Sequence, residues 1–165
     1  MKKILMILMC CLMLVGCSNK TEEVKEYPVD EFSNMYWEIF NYGAKEFEKL
    51  TDEEQYGGKQ TPEERTAFAI SIYAKLQKEK MDEYGFKYNV PIKIRGKVSQ
   101  TPDSDTNFLK LDSLDNDSDC LFINIKMIDD ISSLQKDDVV VIQAEFLEDS
   151  AGLAGFVGNG KIISK

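Results

Sequence analysis

Histidine is missing from this 165-residue sequence. Histidine is the side chain that proteins use most often as a general base and as a metal ligand, and it titrates near neutral pH. A serine or cysteine nucleophile would lack its usual base, and no carboxylate pair stands out among the 29 acidic residues. The sequence therefore predicts a protein that is not an enzyme and that binds no cofactor.

Cysteine and basic residues are also scarce, with four cysteines and 20 lysines and arginines in the chain. Without residues 1–16, 18 basic and 29 acidic residues leave a net charge of −11. Nucleic-acid binding depends on lysine and arginine contacts with phosphates, so we expect no nucleic-acid partner. Cys17 and Cys120 would remain, and a modified Cys17 would leave no partner for a disulfide bond.

The longest apolar run is short and lies at the N-terminus. Lys2 and Lys3 precede twelve apolar residues at positions 4–15, and the chain becomes polar directly after Cys17. A membrane-spanning helix needs about 20 apolar residues, whereas this order of charge, apolar run and small residue is typical of a secretory signal peptide. The sequence predicts a signal peptide over residues 1–16 and a mature chain that begins at Cys17.

The residues around the predicted cleavage site, Leu14-Val15-Gly16-Cys17, resemble the lipobox of bacterial lipoproteins. The resemblance implies a thioether bond between the Cys17 sulfur and diacylglycerol, and a protein held on the extracytoplasmic face of the cell membrane. Two acyl chains suffice for stable anchoring. Because the chain is acidic, we expect the lipid rather than basic residues to attach it. The alternative is an ordinary secreted protein with a coincidental cysteine.

The first half of the mature chain is predicted to be a tether followed by helices. Residues 17–28 are polar and aperiodic and predict the tether, and residues 29–85 predict the helical segment. An amphipathic helix is expected over residues 30–50, with residues 41–43 as a potential break, and a loop over residues 51–60. Thr61, Pro62 and Glu64 fit a capping box, which predicts a second helix that ends at Gly85.

From residue 90 the period of the apolar residues changes from 3.6 to 2, which indicates strands. Val90, Ile92, Ile94 and Val98 predict the first strand, with Gly96 at an inward position where a bulge or bend needs no side chain. Further elements are predicted as strands at residues 107–111, 120–128, 138–147 and 156–163, with a helical turn at 131–134. The predicted fold class is α+β, and residues 29–165 are expected to form one compact unit.

Three stretches carry a second resemblance: VPIKIRGKV at residues 90–98, LFINI at 121–125 and LQKDDVVV at 134–141. They resemble the OB-fold repeats of the tRNA-anticodon-like family, which is found in bacterial envelope lipoproteins. The resemblance covers residues 88–165 and implies a five-stranded Greek-key barrel on which the N-terminal helices pack. It implies no binding to tRNA, because fold does not determine function.

Two features are candidates for ligand binding. One is a basic stripe on the outer face of the first strand, and the other is a glycine-rich loop at residues 152–160, at a rim where OB-folds bind ligands. The candidate residues are Lys93, Arg95, Lys97, Gly152, Gly155 and Phe156. A solvated strand face and a flexible hairpin turn are the alternative interpretations.

Asp115, Asp117 and Asp119 alternate as the carboxylates do at the start of an EF-hand loop, where oxygens ligate calcium. Cys120 stands where that loop has glycine, and Lys126 stands where it has glutamate. We therefore expect a solvated acidic loop and no metal, with a weak calcium site as the alternative.

Together these features predict a non-catalytic, lipid-anchored protein at the bacterial membrane surface that binds another envelope protein, a peptide or a saccharide. Two alternatives stay open. One is an immunity or superinfection-exclusion lipoprotein of a mobile element. The other is a calcium-dependent nuclease on the same barrel, which would need arginine beside clustered carboxylates, and the chain has two arginines, Arg65 and Arg95.

Overall fold

The structure is a computed structural model, and it describes residues 24–102, 107–115, 123–153 and 156–165. Within those residues the chain forms three α-helices, six strands and one short 3-10 turn, so the predicted α+β class is confirmed. The helices are α1 (Val29–Glu48), α2 (Asp52–Tyr56) and α3 (Pro62–Tyr84), and the 3-10 turn is Glu148–Ser150. The strands are β1 (Glu26–Pro28), β2 (Ile92–Val98), β3 (Phe108–Asp112), β4 (Ile123–Lys126), β5 (Val139–Phe146) and β6 (Val157–Ser164).

Helix α1 confirms the amphipathic helix predicted over residues 30–50, but it runs without a break through Gly43. Gly43 is buried, and a Cβ atom at this position would lie 2.5 Å from Cγ of Gln77 in α3. The glycine therefore lets two helix backbones approach closely, and this packing outweighs its cost of about 1 kcal/mol in helix propensity.

Helix α2 lies within residues 51–60, where a loop was predicted, so that prediction is wrong for residues 52–56 and correct for residues 57–60. Thr51 accepts a hydrogen bond at its Oγ1 from the Glu54 backbone N–H (3.3 Å), and the Thr51 N–H donates to Glu54 Oε2 (2.8 Å). These two bonds form a capping box, and Gly57 ends the helix with a φ of 61°. The sequence signal, threonine followed three residues later by glutamate, is present. It normally precedes an apolar run, whereas here it precedes a short polar segment, so it did not indicate a helix.

Helix α3 confirms the predicted start and end of the second long helix. Thr61 Oγ1 accepts from the Glu64 N–H at 3.2 Å, Pro62 is the first helical residue, and Gly85 follows the helix with a φ of 74°. The helix contacts α1, α2 and the 3-10 turn. Its wide apolar arc accordingly packs against several neighbours.

Five of the strands follow the order β4-β3-β2-β5-β6 with antiparallel pairing. Strand β1 lies parallel to the first half of β2, where Tyr27 pairs with Ile94, while β3 pairs with the end of β2 at Lys97 and Val98. Residues 26–28, predicted as the end of the tether, are thus part of the sheet. Three residues with one buried side chain, Tyr27, are too few to produce a periodic signal.

Strand β2 confirms the predicted alternation from Ile92 onward, whereas Val90 lies outside the strand and is 44% exposed. Gly96 is buried at the predicted inward position, and of the two features considered there the bulge does not occur, because the pairing of Gly96 with Val140 continues the register of β2 with β5. A Cβ atom on Gly96 would lie 3.2 Å from Val29 Cβ and from the Asp112 carbonyl oxygen. Position 96 therefore favours glycine, because a side chain there would crowd α1 and β3.

Strand β6 has the predicted length but is continuous, because Gly158, Asn159 and Gly160, which were also assigned to the glycine-rich loop, belong to the strand. A Cβ atom on Gly158 would lie 2.6 Å from Leu147 Cδ1, and one on Gly160 would contact Met127 Sδ. Met127 and Gly160 form a parallel bridge, and the Ile128 N–H donates to the Gly160 carbonyl oxygen at 3.0 Å. These glycines therefore allow β6 to lie close to the end of β4.

The segment predicted as a helical turn at residues 131–134 is a hydrogen-bonded turn and not a helix, with the Leu134 N–H donating to the Ile131 carbonyl oxygen at 3.0 Å. Both apolar side chains of this turn are buried. The sequence located the turn correctly but overestimated its regularity.

Aromatic rings join the helices to the sheet. The ring centroid of Phe32 in α1 lies 5.7 Å from that of Phe146 in β5 and 5.9 Å from that of Phe86. Phe156 lies 4.9 Å from Phe146. Helices and strands thus contribute to the same core.

None of the helices in the described ranges is both long enough and apolar enough to cross a membrane.

Candidate functional site

A groove in the described part of the chain lies between α3 and the end of β5, and we call it the α3 groove. Its main part has a volume of about 650 Å³. Helix α3 supplies Ala67, Ile70, Ser71, Ala74 and Lys75, and the facing side consists of Asn89, Leu147, Glu148, Asp149 and Asn159. A second part of about 310 Å³ continues along α3 to Met81, Phe86 and Tyr88.

Small side chains on one face of α3 form the floor of the α3 groove. Ala67, Ser71 and Ala74 follow each other at steps of four and three residues, which places them on the same side of the helix. The 3-10 turn contacts α3. After it, Gly152 has a φ of 75°, and a Cβ atom there would lie 2.6 Å from the Tyr73 ring. The turn is therefore held at a fixed distance from the helix.

Charged groups of opposite sign line the α3 groove. Lys75 lies on α3, and Glu148 and Asp149 lie on the 3-10 turn across from it. Lys87 lines the second part of the groove together with Lys78, whose Nζ is 2.6 Å from an Asp82 carboxylate oxygen. Lys75, Lys87 and Glu148 form no ion pair with any residue in the described ranges. These three groups are therefore available to charges on a ligand.

Tyr88 fixes the polar geometry of the groove. Its hydroxyl donates to the Ala74 carbonyl oxygen at 3.2 Å and lies 3.4 Å from Gln77 Oε1. Burial, and to a lesser extent the charge of Glu148, raises the pKa of the Tyr88 hydroxyl far above its usual range. Tyr88 therefore stays protonated and acts as a hydrogen-bond donor and not as a base.

The predicted basic stripe lies away from the α3 groove, on the outer face of β2. Arg95 donates from Nε to Glu26 Oε1 at 2.8 Å, so β1 partly neutralises the stripe. Lys93 pairs in register with Gln143 of β5, and Lys97 pairs with Val139. The described loop candidates lie elsewhere, with Gly152 against Tyr73 of α3 and Phe156 against Phe146 in the core.

The predicted loop contributes little to a binding surface. Phe156 is fully buried in the aromatic core, which corrects its prediction as a ligand-binding residue, and Gly152 is half-buried against Tyr73. Gly155 lies outside the described residues. Asn159, which lies near the end of the predicted loop, does line the α3 groove.

The acidic loop and the lipobox fall mostly outside the described ranges, which exclude Asp117, Asp119, Cys120 and residues 14–17. Asp115 is described and exposed, and its backbone N–H donates to Ser113 Oγ at 3.0 Å. Among the described residues, no three acidic or cysteine side chains lie close enough to hold a metal ion.

The α3 groove was not predicted from the sequence. Its floor follows a spacing of small residues that is equally typical of helix packing, and its charged wall depends on the 3-10 turn folding against α3. The sequence contains one signal for this groove: the small residues on one face of α3, together with the charged segment Glu148-Asp149 that follows a strand. Comparisons of the chain with family models, with characterised proteins and with solved structures find no match.

Proposed function

We propose that this protein is a non-catalytic binding protein that a lipid on Cys17 holds at the extracytoplasmic face of a bacterial cell membrane. The lipobox-like residues Leu14-Val15-Gly16-Cys17 support the attachment. The α3 groove carries the binding role, because it combines an apolar floor with charges of both signs that are unpaired within the described ranges. Recognition sites are commonly concave, largely apolar and provided with a few polar groups that orient the ligand.

The chemistry of the groove favours another envelope protein or a peptide as the partner. A segment with an apolar centre would cover Ile70, Ala74 and Leu147. Its acidic side chains would meet Lys75, and its basic side chains would meet Glu148 or Asp149. Charges arranged in this way select the partner and its orientation more than they raise affinity.

The fold part of the proposal is that residues 88–165 form an OB-type barrel. In the strand order, β4 and β6 are the two ends of the path β4-β3-β2-β5-β6. The parallel bridge between Met127 and Gly160 supports a closure that joins those two ends. Five strands closed in this way agree with the barrel that the sequence resemblance implies.

Attachment and groove binding are tested in one strain by photo-crosslinking in intact cells. A photoreactive residue at Ser71, which is exposed on the groove floor, should give a crosslinked adduct, whereas the same residue at the exposed Ser132 should not. The double substitution Glu148→Lys and Asp149→Lys should abolish the adduct. The matched pair Glu53→Lys and Glu63→Lys changes the same charge on α2 and α3 and should preserve it.

Attachment is read from the same cells by intact mass and by membrane fractionation. The wild-type chain should carry an acyl mass, and Cys17→Ser should lose that mass and leave the membrane fraction. A Cys17→Ser protein that fractionates as the wild type does would contradict the anchor. An adduct from position 71 that persists after reversal of both acidic charges would contradict the proposal that the partner binds through the charges of the α3 groove.

A further inference from the structure

A second surface lies where the described chain begins, and we call it the N-terminal patch. It consists of Val24, Lys25, Lys87, Val90 and Pro91, around a hollow of about 410 Å³. Tyr27, Phe86 and Ile92 form its floor and are buried. Val90 is exposed, and Lys25 Nζ lies 4.3 Å from the centroid of the Tyr27 ring. Exposed apolar side chains are thus bordered by lysines.

The lysines of the N-terminal patch keep their charge available. Lys25 and Lys87 are exposed, and neither forms an ion pair with another residue in the part of the chain that the structure describes. The nearest acidic residue along β1, Glu26, is paired with Arg95. The patch is therefore locally positive in a protein that is acidic as a whole.

The acidic residues close to the patch, Asp82 and Glu83 in the last turn of α3, already form ion pairs with Lys78 and Lys80. Further acidic residues lie at the start of α3, which we call the acidic end. Gly85, after the last turn of α3, borders the hollow, whereas Glu63 and Glu64 lie in the first turn, next to Arg65, which pairs with Asp52 of the acidic helix α2. At 1.5 Å per residue, the distance from Glu63 to Gly85 is about 33 Å. This is several times the Debye length of about 8 Å at physiological salt, so the acidic end would not feel a surface that touches the patch.

The N-terminal patch is also the surface that the anchor would bring to the membrane. Seven residues after Cys17 reach Val24, and a fully extended chain of that length spans at most about 25 Å. Val24 itself borders the hollow. Any membrane contact within reach of the anchor therefore involves this end of the molecule before the acidic end.

We propose that the N-terminal patch docks on anionic phospholipid headgroups and thereby orients the anchored protein, with α2 and the start of α3 pointing away from the membrane. This inference rests on the proposed lipid anchor, and it adds a defined orientation to it. The lipid supplies the attachment. Lys25 and Lys87 supply the attraction to phosphate, and Val90 and Pro91 contact the apolar part of the interface.

The test uses the lipidated chain in vesicles and a spin label at one of two positions. The labels are placed by Val90→Cys in the patch or by Glu63→Cys at the acidic end, both in a Cys120→Ser background. On vesicles of phosphatidylglycerol and phosphatidylcholine, we expect the label at position 90 to be shielded from a water-soluble relaxation agent and the label at position 63 to stay accessible. On phosphatidylcholine alone, the shielding should be largely lost.

Charge variants separate electrostatic orientation from simple tethering. Lys25→Gln with Lys87→Gln should weaken the oriented state by about fivefold per lysine. Lys59→Gln with Lys136→Gln removes the same charge from exposed sites elsewhere and should have no effect. Equal accessibility at positions 63 and 90 on anionic vesicles would overturn the inference, and so would shielding that is unchanged by lipid charge or by loss of both patch lysines.

The intact mass of the protein before reconstitution distinguishes the two proposals. An acyl mass on Cys17 together with an accessible label at position 90 would overturn the orientation while leaving the anchor in place. Absence of any acyl mass would overturn the anchor and, with it, the orientation that rests on it.

Discussion

Gly43 and Gln77 illustrate how a single residue joins the two long helices. Glycine costs about 1 kcal/mol relative to alanine inside a helix. A Cβ atom at position 43 would nevertheless lie 2.5 Å from Gln77 Cγ, and Gln77 is fully buried. Overpacking of this kind costs about 1 to 3 kcal/mol, so the packing term outweighs the propensity term.

We predict that Gly43→Ala lowers the free energy of unfolding by about 1 kcal/mol in the wild-type background, and that it raises it in a Gln77→Ala background where the space is open. Urea unfolding of the four proteins of this double-mutant cycle measures both effects and the coupling between the two sites. Destabilisation of the same size in both backgrounds would show that Gln77 is not the reason for glycine at position 43.

Two capping boxes of the same chemistry contribute differently to global stability, because one begins a long helix that packs on the core and the other begins a short exposed helix. Thr61 begins α3, a helix of 23 residues that buries Ala74, Gln77 and Met81. Thr51 begins α2, a helix of five residues that buries none. Loss of an N-cap hydrogen bond lowers global stability only if the helix is part of the structure that unfolds cooperatively.

We therefore predict that Thr61→Ala lowers the free energy of unfolding by about 1 kcal/mol, whereas Thr51→Ala lowers it by less than about 0.5 kcal/mol. Chemical denaturation measures both values, and Thr66→Ala, at an exposed position within α3, controls for the loss of a threonine hydroxyl and methyl group. Equal losses for the two caps would mean that α2 unfolds together with the core.

At the scale of the whole molecule, the contact between β4 and β6 decides whether the sheet has open ends. Gly160 leaves room for Met127, and the Ile128 amide donates to the Gly160 carbonyl oxygen.

We predict that Gly160→Ala lowers the free energy of unfolding by about 1 to 3 kcal/mol and speeds hydrogen exchange at the Ile128 amide. Ser164→Ala, at the exposed end of β6, is the control. Unchanged exchange at Ile128 would argue against a closed barrel.

The parts of the fold that the sequence predicted are those with local signals. The apolar period and the capping box identified α1 and α3, and the alternation after Ile92 identified β2. Helix α2 was missed although its capping box is a local signal, whereas the other missed parts depend on partners distant in the chain. Strand β1 forms because β2 is beside it, Phe156 is buried because Phe146 lies next to it, and the α3 groove exists because the 3-10 turn folds against α3. No local pattern contains that information.

Strand β1 also determines how the fold would respond to mechanical force. A chain that is held at its N-terminus transmits any pull through Lys25, whose carbonyl oxygen accepts from the Lys93 N–H at 3.0 Å, and then through β1. Because sheet hydrogen bonds run across the strands, a pull along β1 loads them in shear, so they resist together instead of opening one by one. Drag on the protein would thus be borne by β1 and β2 before it reached α1 or the α3 groove.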